Sequence, residues 1–234
     1  MIRLYFDQTF EVGARLRLPK EELHYFRGVR RGQAEATLFN RQNQIAFGRV
    51  DEDFFVIDRV EEATSPRYPL TLALGMPEAS ILPLVMRSIS ELGVKELILF
   101  EAERSQNAKA RMKNLARLEK IAIESARQCG RGAPLEISTS TWTDLLKKFA
   151  DFERKIFFDE AMADKSALTS TTKNSKNILL MVGPEGGWTE KERMAVRKND
   201  FEWVHFETPI LRVETAVVVA AFFGIQKFAS CNSK

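Results

Sequence analysis

Apolar and polar positions change their spacing near residue 67, and this change divides the chain into two parts. Before it, short runs that mix β-branched and aromatic residues with polar ones are separated by polar turns at 34–39, 44–50 and 54–60. Such runs are typical of short strands in a compact barrel. The segment 63–69 contains two prolines and few apolar residues, which favours a boundary there. We therefore predict an N-terminal β-barrel domain at residues 1–67.

After the boundary, apolar runs alternate with amphipathic segments, as in an α/β domain with a parallel sheet. Ile178–Val182 is the most uniformly apolar run and is predicted to be a central strand covered on both faces. Thr189 and Glu192 form a capping box that predicts a helix start. The second domain is thus residues 68–234, with strands predicted at 70–74, 94–100, 135–137, 155–158, 178–182 and 201–206, and helices at 83–92, 114–129, 142–152 and 215–229.

The composition indicates a globular protein with a sizeable core, because the 234 residues are 44% hydrophobic and 29% charged. The two cysteines, Cys129 and Cys231, form no paired motif, which argues against a disulfide framework or a thiolate metal cluster. The N-terminus lacks the pattern of a signal peptide. The longest apolar stretch, 217–225, is about half of what a membrane span needs. We expect a cytoplasmic protein without a membrane segment.

The net charge of +3 is a sum of opposite local charges. Residues 1–49 carry +4, residues 50–70 carry −4 and residues 104–131 carry +6. Arginine suits bidentate contact with phosphate and stacking on bases, so the basic segments predict RNA contact on one face. For any single arginine, a solvated surface charge is the simpler interpretation.

Several familiar catalytic motifs are absent from the sequence, including the phosphate-binding loop, the dinucleotide fingerprint, the zinc-protease motif and the nucleophile elbow. A glycine-rich segment, 183–187, instead follows the apolar strand directly. Ligands bind at the carboxyl ends of strands in open α/β sheets, and glycines let a backbone approach a ligand closely. A backbone cradle for a small molecule is one interpretation, and a plain strand-to-helix turn is the other.

A second loop, 206–216, follows the next predicted strand. Pro209, Ile210 and Leu211 could form an apolar wall there, and Arg212 and Glu214 place opposite charges two residues apart at a helix start. On the simpler interpretation, Glu214 is a partner of the helix dipole and Arg212 is a surface cation.

The two loops together carry a resemblance to a known family. Met181-Val-Gly-Pro-Glu-Gly-Gly-Trp-Thr-Glu190 followed by Ile210-Leu-Arg-Val-Glu-Thr-Ala216 resembles the paired C-terminal signature of the RsmE family. These SPOUT methyltransferases methylate uridine N3 in 16S rRNA. Ser90-Glu-Leu-Gly-Val94 and the segment 124–131 with Pro134 match as well, and residues 24–31 with Arg3 are similar to the family's N-terminal RNA-binding module.

The resemblance spans essentially the whole chain and implies a specific fold. It implies an α/β protein in which a small PUA-like, RNA-binding β-barrel precedes a SPOUT domain with a mostly parallel sheet, flanking helices and a C-terminal trefoil knot. It also implies a homodimer whose other subunit helps to build the active site. S-adenosylmethionine is the implied cofactor, with no metal, and 16S rRNA within the 30S subunit is the implied partner.

The resemblance also assigns site residues by motif position. Arg212 is expected to stabilise negative charge developing on the uracil, and Glu214 is expected to orient it or to accept the N3 proton. For His24, a structural hydrogen bond is the favoured alternative to RNA contact. The cofactor contacts are expected at Val182, Gly183, Glu185, Gly186, Gly187, Ile210, Leu211 and Arg212. The basic segments and the similarity to the N-terminal module together predict the RNA contacts, at Arg3, His24, Arg27, Arg30, Arg31, Arg104 and Arg131.

The chain departs from the family pattern at two places. It has Val213 where the family usually has Thr, and it has Glu-Thr-Pro at 207–209 where the family usually has a Gly. These departures affect the assignment of site residues and of the RNA target more than they affect the assignment to the family. Two other functions therefore stay open: a SPOUT enzyme acting on another RNA, such as tRNA at a ribose oxygen, and a non-catalytic RNA-binding protein of ribosome assembly.

Overall fold

The computed structural model describes residues 1–29, 34–105, 115–160 and 176–232, and the side chains of 229–232 are excluded from the description. The chain divides into two compact units. The first contains Met1–Pro66 together with Ile123–Pro134, and the second contains Arg67–Ala122 and Leu135–Lys234. The first unit is thus assembled from two separate chain segments, whereas the predicted division was continuous in sequence.

The first unit contains a small, mostly antiparallel sheet, which confirms the prediction of a β-rich N-terminal part. The described strands follow the order β1-β3-β4-β5-β2, with β1 and β3 parallel, so β1 and β2 lie at the edges of a half-barrel. Leu4, Leu38 and Phe55 are among its fully buried core residues. The strands are β1 (Ile2–Tyr5), β2 (Arg15–Arg17), β3 (Glu35–Phe39), β4 (Gln44–Asp51) and β5 (Phe54–Glu62).

A helix that the sequence pattern did not predict, α1 (Lys20–Val29), lies in the same unit. Only Leu23 and Phe26 are buried on it, and two apolar positions three residues apart are too few to produce a clear helical period. The acidic residues Glu21 and Glu22 occupy its first turn, where negative charge favours the helix dipole. The short strands that follow it gave a stronger local signal.

The second unit contains an entirely parallel sheet with helices, which confirms the predicted α/β class. Its strand order is β11-β9-β10-β6-β7-β8. The strands are β6 (Tyr68–Gly75), β7 (Val94–Glu101), β8 (Glu136–Thr141), β9 (Arg154–Phe158), β10 (Ile178–Val182) and β11 (Glu202–Val204).

The remaining helices follow the predicted alternation closely. They are α2 (Leu82–Glu91), α3 (Leu115–Cys129), α4 (Trp142–Lys148) with a 3₁₀ turn at Phe149–Asp151, α5 (Glu190–Arg197) and α6 (Val213–Asn232). The predicted capping box is present at α5, where Thr189 accepts from the Glu192 backbone N–H and Glu192 accepts in return. None of the helices within the described ranges combines the length and apolar character needed to cross a membrane.

Strand β10 is buried on both faces of the parallel sheet, as its sequence predicted. Leu180 packs into one hydrophobic cluster with Leu72 and Val217, while Leu179 and Met181 pack into a second cluster that includes Trp188. Two layers of side chains thereby fix the carboxyl end of β10. The glycine-rich segment at 183–187, which we call the glycine loop, begins at this rigid point.

Candidate functional site

A cavity of about 670 Å³ opens at the carboxyl ends of three neighbouring strands, β9, β10 and β11. Parallel strands bring their carboxyl ends to one edge of a sheet, where ligands of α/β proteins bind. Three chain segments supply most of the wall: 158–160 after β9, the glycine loop with Trp188 after β10, and 204–216 after β11. The two loops singled out from the sequence therefore line the same cavity, although β9 separates their strands in the sheet.

The glycine loop is shaped by contacts that leave little room for side chains. A Cβ on Gly183 would lie 3.1 Å from ring atoms of Trp188, and Gly187 has φ 68°, in the left-handed region that favours glycine. Trp188 is buried, and its indole Nε1–H donates to the Phe158 carbonyl at 2.9 Å. Trp188 is thus a fixed part of the wall that ties the end of β10 to the end of β9.

The loop after β11 supplies an apolar rim and two charges. Ile210 is 81% exposed at this rim, beside Leu211. Arg212 lines the cavity, and its carbonyl accepts from the backbone N–H of Thr215 at 3.0 Å and of Ala216 at 2.8 Å, which begins α6. Glu214, in the first turn of α6, lines the cavity as well. The two predicted catalytic residues are therefore brought to the same cavity as the predicted cofactor contacts.

An acidic part of the wall was missed by the sequence analysis. Asp159 and Glu160 follow β9 and line the cavity. The Asp159 side chain is 1% exposed, and Arg193 donates to both of its carboxylate oxygens, from Nε at 2.7 Å and from Nη2 at 3.0 Å. This hydrogen bonding raises the pKa of the Arg193 guanidinium. Their position directly after a parallel strand was the signal that could have identified both acids.

Two of the predicted cofactor residues have structural partners. The Glu185 carboxylate accepts from the backbone N–H of Glu78 at 2.8 Å. Gly186 is absent from the described cavity wall, and its carbonyl accepts from Arg104 Nη1 at 3.0 Å. The remaining predicted cofactor contacts all line the cavity: Val182, Gly183, Glu185, Gly187, Ile210, Leu211 and Arg212.

The cavity offers a defined set of chemical groups. Glycine backbone and the Ile210–Leu211 rim suit an apolar, flat ligand surface, and the exposed carboxylate of Glu160 suits a positively charged one. Within the described ranges, no cluster of three or more His, Cys, Asp or Glu side chains is arranged to hold a metal ion.

Two of the predicted RNA contacts, Arg3 and Arg131, are engaged inside the first unit. Arg3 donates to the Arg131 carbonyl at 2.7 Å, and its guanidinium lies over the Phe39 ring, 5.0 Å from the centroid. Arg131 is only 3% exposed. Phosphate contact through Arg131 would require this side chain to leave its place in the core, so its position favours a structural role.

Arg127, which the charge count included in the basic segment, is also a structural residue. It donates to the Arg3 carbonyl at 2.9 Å and to both Glu22 carboxylate oxygens at 2.7 and 2.9 Å, and it stacks over the Tyr25 ring. Burial raises the pKa of Glu22. The hydrogen bonds of Arg127 hold the segment 123–134 to α1 and β1 within the first unit.

The exposed RNA candidates of this unit lie on α1. His24 and Arg27 are both exposed, and Arg27 forms an ion pair with Asp53 at 2.8 Å. Arg30 and Arg31 lie outside the described residues. Arg104, in the second unit, is exposed after β7.

Comparisons with known proteins agree with this arrangement. A family model described as an RNA methyltransferase domain matches residues 64–223. The ribosomal RNA small subunit methyltransferase E of Bacillus subtilis (strain 168) is 30% identical over 176 residues, which cover 70% of this chain and 68% of that protein. The protein of the same name from Mesomycoplasma hyopneumoniae (strain 232) is 26% identical over 166 residues, 70% of this chain and 72% of that protein.

Solved structures are similar over nearly the full length. The ribosomal RNA small subunit methyltransferase E of Neisseria gonorrhoeae, solved bound to S-adenosyl methionine, superposes with a TM-score of 0.84 at 26% identity and covers 97% of both chains. A Legionella pneumophila protein, solved in complex with the same bound cofactor, gives a TM-score of 0.78 at 26% identity, covering 95% of this chain and 96% of that one.

Proposed function

The chain belongs to the RsmE family of RNA methyltransferases, and from this membership we propose that it transfers a methyl group from S-adenosylmethionine to N3 of a uridine in 16S rRNA. The observation that carries the proposal is the cavity, where the glycine loop and the 204–216 loop converge. Two relatives with similar folds were solved with this cofactor bound. The target atom and nucleotide rest on the motif resemblance.

The groups around the cavity fit S-adenosylmethionine. The glycine loop and the rim of Ile210 and Leu211 would hold its adenosine part, and the exposed carboxylate of Glu160 would favour its positive charges. When bound, the cofactor supplies an electrophilic methyl group on a sulfonium.

Arg212 and Glu214 are the catalytic residues of the proposal. Uridine N3 carries a proton that must leave before or during attack, so Glu214 accepts this proton or orients Arg212. Arg212 stabilises the negative charge that develops on the uracil. Arg212 immediately precedes α6, Glu214 lies in its first turn, and both line one cavity, which favours a shared role over the helix-dipole and surface-charge interpretations.

We further propose that the family's quaternary and topological features apply. The half-barrel would bind RNA, mainly through His24, Arg27 and the neighbouring basic residues Arg30 and Arg31. The second unit would be a SPOUT domain with a trefoil knot, and a homodimer would complete the active site. Leu84 on α2, 53% exposed, and Phe222 on the adjacent helix α6, 55% exposed, are candidate contacts for a second copy.

The decisive experiment supplies the protein with labelled S-adenosylmethionine and 30S particles from cells that lack the enzyme. Mass mapping of the digested RNA then locates the methyl group. N3-methyluridine in 16S rRNA is the expected product. A 2′-O-methyl nucleoside, or methylation of tRNA only, would indicate a SPOUT enzyme of other specificity. Absence of cofactor binding by calorimetry would indicate the non-catalytic assembly protein.

A further inference from the structure

A short loop after β7, residues 102–105, is anchored by a buried carboxylate. Glu192 is 2% exposed, and its Oε1 accepts from the backbone N–H of Glu103 at 3.0 Å. Its Oε2 accepts from the backbone N–H of Thr189 at 2.9 Å, and the Thr189 hydroxyl donates to the Glu103 carboxylate at 2.8 Å. The 102–105 loop is therefore fixed to the start of α5 at its backbone.

From this fixed base, Arg104 reaches the glycine loop. Its Nη1 donates to the Gly186 carbonyl at 3.0 Å. The two chains also pack closely, because a Cβ built on Gly186 would lie 2.9 Å from Arg104 Cβ and 3.1 Å from the Arg104 carbonyl oxygen. The hydrogen bond is charge-assisted and holds the Gly186 carbonyl in the middle of the loop. It therefore restrains the peptide between Gly186 and Gly187, and Gly187 lines the cavity.

The preceding residue of the glycine loop, Glu185, is restrained as well. The Glu185 carboxylate accepts from the Glu78 backbone N–H, in the connection between β6 and α2. Glu185 and Gly186, which are consecutive in the loop, are thus held by the chain segments that follow strands β6 and β7. A glycine-rich backbone has many accessible conformations when free, and each restraint lowers the entropy that ligand binding must remove.

We propose that Arg104 is a positioning residue for the cofactor site, which fixes the glycine loop in its ligand-receiving conformation through the Gly186 carbonyl. This assignment differs from the RNA contact predicted for Arg104 from the sequence. It rests on the proposed function, since the cofactor of that function is the ligand of the glycine loop.

The test is the dissociation constant of S-adenosylmethionine, measured by calorimetry without RNA, for the wild type, Arg104→Ala and a control. Arg197→Ala is the control, because Arg197 is an exposed arginine of the same unit whose partner is the Glu190 side chain. We expect Arg104→Ala to weaken cofactor binding about three- to tenfold, the usual effect of losing one such hydrogen bond. We expect Arg197→Ala to leave it unchanged.

Turnover gives an independent readout. Arg104→Ala should raise the KM for S-adenosylmethionine and should recover most of its kcat at saturating cofactor, whereas loss of an RNA contact alone would raise the KM for RNA. Glu192→Gln is the second variant, since an amide can accept from only one of the two N–H groups that the carboxylate serves. It should weaken cofactor binding in the same direction, and its burial excludes a direct RNA contact.

Folding of each variant is checked by circular dichroism and thermal unfolding. Wild-type cofactor affinity in folded Arg104→Ala overturns the inference, whatever happens to RNA affinity. If the wild-type protein itself does not bind S-adenosylmethionine, the proposed function fails, and the two failures are therefore distinguishable.

Discussion

Arg193 of α5 donates two hydrogen bonds to the carboxylate of Asp159, which is 1% exposed at the end of β9. The pair joins α5, the helix that follows the glycine loop, to the end of strand β9. Asp159 also lines the cavity. A carboxylate so deeply buried is tolerated because the guanidinium satisfies both of its oxygens. Asp159 in the cavity wall is therefore held by Arg193, which does not itself line the cavity.

Removing that partner should be costly. We expect Arg193→Met to lower the free energy of unfolding by about 3–5 kcal/mol, because it removes the guanidinium that donates to both oxygens of the buried Asp159 carboxylate. Arg197→Met removes an exposed ion pair on the same helix and should cost at most about 1 kcal/mol. Urea denaturation of both variants checks the difference, and equal losses would contradict the role of the Asp159 pair.

Close approach of the glycine loop to β6 makes Gly75 sensitive to substitution. A Cβ at Gly75 would lie 2.6 Å from Pro184 Cδ and 2.8 Å from Pro184 N, so the loop backbone must shift. Gly75→Ala should destabilise the protein by about 1–3 kcal/mol and weaken cofactor binding. Gly28→Ala is the matched control: its Cβ meets open space within α1, and it should stabilise by about 0.5–1 kcal/mol. Thermal unfolding with and without S-adenosylmethionine compares the two.

The proposed proton acceptor can be tested apart from cofactor binding. Glu214→Gln keeps the size of the side chain at the start of α6 and removes its basicity. We expect kcat to fall by about 10²–10⁴-fold, the usual contribution of a general base, with the dissociation constant of S-adenosylmethionine nearly unchanged. Single-turnover methylation of 30S particles measures the effect. Full turnover in a folded Arg212→Ala variant would likewise show that Arg212 does not stabilise the uracil charge.

RNA contact through α1 predicts a dependence on salt. Wild-type affinity for RNA should fall steeply with added salt, because binding releases counterions from phosphates. Arg27→Glu should weaken RNA binding, lower the salt slope by about 1 and leave cofactor affinity unchanged. Arg49→Glu, which changes an exposed, ion-paired arginine outside the predicted contacts, serves as the control. Filter binding at several salt concentrations is the measurement, and an Arg27→Glu variant with wild-type affinity would argue against contact through this helix.

Alkaline pH should weaken the first unit through Tyr5 in β1. Burial raises the pKa of Tyr5 from 10.0 to about 12, so the folded state favours the neutral phenol. Its contribution to stability is fully present below pH 10 and is lost as the pH rises from 10 to about 12. The difference in free energy of unfolding between the wild type and Tyr5→Phe should therefore fall across this interval. A difference that is independent of pH would contradict the shifted pKa.

Local patterns predicted most of the second unit, because its strands and helices are each encoded within a few residues. Ile178–Val182 followed by glycines was sufficient to predict a buried strand and a glycine-rich turn at its carboxyl end, with a ligand cradle and a plain turn both left open. Pairs distant in sequence left no such pattern: Asp159 and Arg193 are 34 residues apart, and Glu22 and Arg127 are 105 apart. Helix α1 was missed because it buries only two side chains. The hydrogen-bond partners of Arg104, Glu185 and Arg131 are set by tertiary packing. The sequence therefore predicted the roles of these three residues less well than it predicted the strands and helices.

The two-segment composition of the first unit has a consequence for synthesis. A nascent chain presents residues 1–66 first, and the segment 123–134 follows only after all of 67–122 has been made. At about 5–20 residues per second, this delay lasts several seconds. Until Arg127 emerges, Glu22 lacks its guanidinium partner, while β6 and β7 of the second unit are already available to pair. The first unit therefore cannot complete its native contacts until a large part of the second unit has been synthesised.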